Sequence, residues 1–423
     1  MNRFWYSLFF YVCTPLLLLR LWRRSKQAPA YKKRIAERFA RQLPAFKKGG
    51  VWLHAVSVGE SIAAAPVVKA LQASYPNLPI TITCMTPTGS ERIQAMFGDS
   101  VQHCYLPYDL PSCAKRFLQA VQPKLAIVME TELWPNHIHH CYKMQIPVVL
   151  ANARLSARSA KGYAKFPKLV KPMLQHLSLI AVQTQTEAER FLALGATEAQ
   201  VQVTGSIKFD LSIAPEILSR AQQLRESWQA QQRLVWIAGS THQGEDEQLL
   251  AAHQQLLTDR PDALLILVPR HPERFDAVFA LCQAQKMATQ RRSTQALVDN
   301  THQVLLGDTM GEMLLLYACA DMAFVGGSLV EHGGHNLLEP AALGKPVLSG
   351  KHIFNFLDIA EQLLEAGDLL QVEDSQQLAQ VLLMLAENPA KAQHMREAGF
   401  SVLHNNQGAL QRLMDAVAQV KSF

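Results

Sequence analysis

Along most of the chain, short apolar runs alternate with amphipathic stretches. From residue 50 the runs Val51–Val56, Ile80–Met85, His103–Leu106, Leu125–Met129, Pro147–Ala151 and Leu179–Gln183 read as strands. Between them, Ile62–Ser74, Cys113–Val121 and Glu187–Leu194 carry apolar residues at helical spacing. The pattern then restarts with Leu234–Ala238, Ala263–Val268, Gln303–Leu306, Ala323–Val325, Pro346–Leu348 and Leu369–Val372. Glu245–Leu257, Met310–Ala318 and Leu337–Leu343 read as helices of this second set. Short, wholly apolar strands separated by helices mean βαβ units and parallel sheets covered on both faces. A polar stretch, DLSIAPEILSRAQQLRESWQAQQ, separates the two series. The expected fold is α/β, with two Rossmann-like doubly wound domains facing a cleft. Ligands in such sheets bind beyond the carboxyl ends of the strands, at the switch point.

The N-terminus breaks this pattern. Phe4–Leu19 is an uncharged run interrupted by Pro15, and Leu21 and Trp22 extend it past Arg20. At this length it sits at the short limit for a bilayer span. Phe4, Trp5, Tyr6 and Trp22 mark its two ends, as interfacial aromatics do. No small-residue cleavage site follows, which argues against a removed signal peptide. Twelve Lys and Arg lie within residues 1–48 against Glu37 alone. The segment therefore carries +11 of a net +6, leaving −5 on the remainder. Basic residues after the apolar run leave the body on the cytoplasmic side and draw the collar to anionic lipid. The expected division is an anchor over 1–24, a basic membrane-proximal segment over 25–48, and domains over 49–215 and 216–423. A span and an in-plane anchor both fit this pattern.

Composition narrows the class. With 423 residues, 49% hydrophobic and 18% charged, the chain can bury a large core and is not a disordered polymer. Seven cysteines, odd in number and with no C-x-x-C pair, exclude a disulfide scaffold or zinc ribbon. The basic collar adjoins an apolar run and lacks interleaved aromatics, so no nucleic-acid partner is expected.

Chemistry should sit at the strand ends. Glu60 closes HAVSVGE, directly after the first strand. It reads either as a helix-capping carboxylate or as a general base. The helix dipole favours its charged form and burial opposes it. In METELWPN, Glu130 follows the fourth strand, and an extended turn would put Glu130 and Glu132 on one side. Lys208, in TGSIKFD, is a surface charge or an electrostatic clamp. The second half offers Arg270 in VPRHPERF, Gly311 in GDTMGEM, and a long glycine-rich stretch, FVGGSLVEHGGHNLLEPAALGKPVLSG. Its loop (Gly326, Gly327, Gly333, Gly334) and a helix from about Asn336 offer free N–H groups to a phosphate. Glu339 is placed to reach ribose hydroxyls, and Arg270 to grip a phosphate. HIHHC at 137–141 has metal-ligand residue types, but only 137 and 140–141 share a helix face. No G-x-G-x-x-G follows the first strand, which counts against a dehydrogenase.

The G-G…E…G-x-N-x-x-E-P-A…G-x-P stretch resembles the nucleotide-binding region of GT-B glycosyltransferases. HAVSVGE, TCMTPTGSER, METELWPN, ANARLS, TGSIKFD, AGSTHQGED, VPRHPERF and HGGHNLLEP together resemble the 3-deoxy-D-manno-octulosonic acid (Kdo) transferases over essentially the whole chain. The resemblance implies a GT-B fold with an N-terminal membrane-anchor helix in the inner membrane. It also implies transfer of Kdo from CMP-Kdo to lipid IVA, the lipid A precursor, in lipopolysaccharide biosynthesis. By motif, Glu60 is the general base, and Glu130 and Lys208 stabilise the transition state. CMP lies against Pro269, Arg270, Met310, Gly311, Glu312, Asn336, Leu337, Leu338 and Glu339. No cofactor and no metal are implied. Anionic inner-membrane lipids are the remaining partners. The competing expectations are a nucleotide-sugar epimerase and a non-catalytic sugar-nucleotide-binding protein on the same architecture.

Overall fold

The computed structural model describes residues 1–230 and 232–421. The chain forms two compact units, one of residues 1–210 joined by the chain from residue 407 onward, the other of residues 211–406.

In the first unit the strands are β1 (Val51–His54), β2 (Ile80–Cys84), β3 (Gln102–Tyr105), β4 (Leu125–Met129), β5 (Val148–Ala153), β6 (Leu179–Val182) and β7 (Val201–Val203). They form one parallel sheet in the order β3-β2-β1-β4-β5-β6-β7. Side chains alternate between faces, and each face has its own core. Val51, Leu53, Leu125, Ile127 and Met129 pack on one side. Trp52, Ala126, Val128 and Phe117 pack on the other. Strand order reverses between β1 and β4, which pair in register from Val51↔Leu125 to His54↔Val128. The ends of these two strands are the switch point.

The C-terminal helix, Ala409–Val420, corrects the expected division. The sequence reading kept the chain to residue 423 with the second domain. Instead Ala409, Leu413, Ala416 and Val417 join the core of the first unit. Asp210 secures this return by accepting the Gly408 and Leu410 N–H groups.

The second unit repeats the architecture. Its strands are β8 (Val235–Thr241), β9 (Leu264–Pro269), β10 (Thr289–Arg291), β11 (Val304–Leu306), β12 (Met322–Val325), β13 (Val347–Ser349) and β14 (Leu369–Gln371). The order is β10-β11-β9-β8-β12-β13-β14, again all parallel. The switch lies between β8 and β12.

The N-terminal helix runs from Arg3 to Gln27, capped by the Asn2 side chain on the Trp5 N–H. By length and composition it could cross a membrane. One stripe packs on the first unit. Arg3 Nη1 and Ser7 Oγ both donate to Asn136 Oδ1, and Tyr11 Oη bonds Ser112 Oγ. The opposite stripe, with Phe4, Trp5, Phe9, Val12, Leu16 and Trp22, is exposed. The collar is not wholly a surface feature. Arg38 is buried over the Tyr105 ring and donates to the Met85 carbonyl. Arg34 bonds Glu37 and Ser90.

Candidate active site

At the first unit's switch point, β1 leads into the helix Val58–Ser74, with Ser57 as its N-cap. Glu60 stands three residues inside. Its Oε2 accepts the Val56 N–H at 2.8 Å, and its Oε1 accepts the Ser57 hydroxyl at 3.3 Å. The carboxylate thus caps the start of this helix. Burial outweighs the hydrogen bonds and lifts the Glu60 carboxyl to about 7, with Glu130 and Glu132 adding to the rise.

Glu130 follows β4 with φ +54°, in the left-handed region. The turn is therefore not extended at Glu130, as the expected one-sided placement of Glu130 and Glu132 assumed, yet the two carboxyls still lie close enough to influence each other. Non-glycine residues in this region cost free energy and cluster at functional sites. Glu132 is also held above the usual carboxylate range, by burial and then by Glu130. Lys208 Nζ lies 4.0 Å from Glu130 Oε1. The fold therefore gathers three carboxylates and one ammonium from β1, β4 and the segment after β7.

Asn152, which sequence reasoning did not single out, sets this last segment. Its Oδ1 accepts the Ile207 N–H, one residue before Lys208. It too is left-handed, at φ +52°, and wholly buried. Its signal lay in ANARLS, as a polar residue inside an otherwise apolar strand.

In the second unit the expected CMP residues end or follow β9, β11 and β12. Pro269 ends β9, and Arg270 is exposed just beyond it. Arg270 is close enough to lower the Glu339 carboxyl, although burial dominates and holds that group above its ordinary value. Asn336 Nδ2 donates to Glu339 Oε1, and Asn336 Oδ1 accepts the Leu338 N–H. Leu337 and Leu338 are buried. After β11, Gly311 turns at φ +84° and Met310 is exposed. Glu312 is held by Arg292 at 2.9 Å and by the Thr309 hydroxyl.

The glycine-rich loop departs from its expected use. The N–H groups of Gly327, Ser328 and Leu329 do converge on an anion, but the anion is Glu245 of the same chain. Glu245 also takes the His242 N–H, completing four bonds of 2.7–3.0 Å on a fully buried carboxylate. These amides form a nest already filled from within. The helix expected near Asn336 spans only Leu338–Ala342. Beside the nest stands a group of four histidines. His242 stacks on His332, lies coplanar with His335 and bonds it Nε2 to Nε2 at 2.8 Å, and meets His271 edge-on. Burial first, then the neighbouring histidines and arginines, lowers the imidazoles of His242 and His335 to about 4, which keeps both neutral.

HIHHC does not converge. His137 bonds Asp109, His139 packs against His140 and His176, and Cys141 is buried in the core. Among the described residues no three His, Cys, Asp or Glu side chains are grouped to hold a metal ion.

Residues 33–211 match the family model of the 3-deoxy-D-manno-octulosonic-acid transferases, and residues 233–402 match that of group 1 glycosyl transferases. A 3-deoxy-D-manno-octulosonic acid transferase of Haemophilus influenzae is 48% identical over 98% of each chain. That of Bordetella pertussis is 37% identical over 99% of each. A UDP-GlcNAc 2-epimerase of Neisseria meningitidis, 15% identical, covers 88% of this chain and 99% of its own with a TM-score of 0.57. At that identity the likeness shows the shared two-unit fold alone. The chain itself belongs to the 3-deoxy-D-manno-octulosonic acid transferase family, and is a glycosyltransferase of lipopolysaccharide biosynthesis.

Proposed function

We propose that the enzyme moves Kdo from CMP-Kdo to a glucosamine hydroxyl of lipid IVA, with Glu60 as general base. The acceptor oxygen attacks the anomeric carbon as its proton passes to the Glu60 carboxylate. The bond from that carbon to the phosphate oxygen breaks on the opposite face, CMP departs, and configuration inverts. Positive charge builds on the sugar and negative charge on the phosphate. Glu130 and Lys208 answer this developing charge beside the base, and Arg270 meets the nucleotide phosphate. Pro269, Met310, Gly311, Glu312 and Asn336–Glu339 contact the rest of CMP. These cations supply the charge that a metal would otherwise bring, so the reaction proceeds without one.

The observation that carries this reading is the Glu60 carboxyl, raised to about 7 at the β1–β4 switch point. A base works best with its acidity matched to the working pH. The test is mass spectrometry of lipid IVA incubated with CMP-Kdo, enzyme and EDTA. A gain of one or more Kdo units is expected. No gain, with CMP still bound, would assign a different acceptor or a different CMP-sugar.

The membrane anchor belongs to the same reading. We infer that the helix Arg3–Gln27 lies in the plane of the inner membrane on its cytoplasmic side. Its first turns are tied to Asn136, while the exposed apolar stripe faces away from the protein. Exposed Arg20, Arg23, Arg24, Lys26, Lys32 and Lys33 continue that surface. An amphipathic helix beside clustered cations is built for an anionic interface.

A further inference from the structure

Behind the METELW turn lies a small cavity lined by His54, Glu132, Trp134 and His137 among apolar neighbours. Its volume, about 10 Å³, is that of one water molecule. Three buried nitrogens on residues that line it have no protein partner: His54 Nε2, His137 Nε2 and Trp134 Nε1. Both histidines are essentially inaccessible to solvent, at 0% and 1% exposure. A buried polar atom left unbonded costs about 1–3 kcal/mol, so three of them on residues around one cavity point to a common partner.

The ring tautomers follow from the opposite nitrogens. His54 Nδ1 faces the Thr83 carbonyl at 3.2 Å and its hydroxyl at 2.9 Å. A carbonyl only accepts, so the ring proton sits on Nδ1 and Nε2 keeps a lone pair. His137 Nδ1 donates to Asp109 Oδ1 at 2.7 Å, and Asp109 also accepts the Asn136 and His137 backbone N–H groups. The Trp134 indole N–H is a donor only. One water can accept from Trp134 and donate one hydrogen each to His54 Nε2 and His137 Nε2.

We propose that this cavity is a structural water site, and that His54, His137 and Trp134 are positioning residues for the transfer reaction. The water ties the end of β1 to the turn after β4. His54 is two residues before Val56, whose N–H holds Glu60. Trp134 follows Glu130 and Glu132 in the turn. Both halves of the carboxylate cluster therefore hang from one buried hydrogen-bond junction. The proposal rests on the reading of Glu60 as base for its kinetic consequence, and on the cavity alone for its structural one.

Two measurements test it. A crystal structure at a resolution that shows ordered waters should place one within hydrogen-bonding distance of all three nitrogens. A collapsed or unoccupied cavity there would overturn the site, whatever the enzyme's substrate. Trp134→Phe keeps an aromatic ring, though a smaller one, and removes the N–H. It should lower kcat about tenfold and leave KM for CMP-Kdo within about twofold, since geometry at the base and not donor binding is disturbed. Unchanged kcat, or a loss confined to KM, would refute the positioning role. If wild-type enzyme transfers no Kdo, the proposed reaction fails while the crystallographic result still decides the water site.

Discussion

Glu60 shows how one residue is tuned by its setting. Its charged form is favoured by two hydrogen bonds at a helix start and opposed by burial and two carboxylate neighbours, and the opposing effects win. The working form of a base is the deprotonated one. Transfer should therefore rise with pH through about 7 and fall roughly tenfold per unit below it. Glu132→Gln removes one of the charges that raise Glu60, so the acid limb of the kcat/KM profile should move to lower pH. A limb that stays in place would show that Glu132 does not influence the titrating group. Residue chemistry of this kind was partly legible in the sequence. Glu60 and Glu130 were readable as strand-end groups, and Lys208 as a surface charge or an electrostatic clamp. The winner between burial and dipole was not, because it depends on neighbours from three separate segments.

At the scale of elements, the strand series was legible because buried parallel strands are continuous apolar runs. The two strands that went unnoticed, Val201–Val203 and Thr289–Arg291, are sheet edges with little or no buried side. Edge strands keep polar residues and so lose the hydrophobic signal. The glycine-rich loop was legible as an anion cradle but not in its occupant, since Glu245 comes from the turn after β8. Its four backbone bonds organise that turn against the loop after β12. Glu245→Ala leaves these amides unpaired, and thermal unfolding should register a loss of about 3 kcal/mol or more. A melting temperature equal to wild type would mean that the loop is held by other contacts.

For the whole molecule, the sequence divided the chain correctly into two sheets but assigned its last helix to the wrong unit. Nothing local in Ala409–Val420 names its partner sheet, since an amphipathic stripe fits any apolar face. Membrane association is likewise a property of assembled surface. Full-length enzyme should float with vesicles containing anionic lipid, more weakly as salt rises, because each basic residue near the surface contributes about 1 kcal/mol. Removing residues 1–27 should leave most of the protein in the soluble fraction. Retention of that truncated form on vesicles at high salt would locate the attachment elsewhere.

The central claim is that Glu60 takes the acceptor's proton, and Glu60→Gln tests it most directly. Gln keeps the size and the Val56 hydrogen bond but cannot act as a base at neutral pH. Paired measurements of CMP affinity and Kdo transfer to lipid IVA should show affinity within about twofold of wild type and transfer lowered at least a hundredfold. Transfer at the wild-type rate with CMP still bound would contradict the account and move the base to another residue.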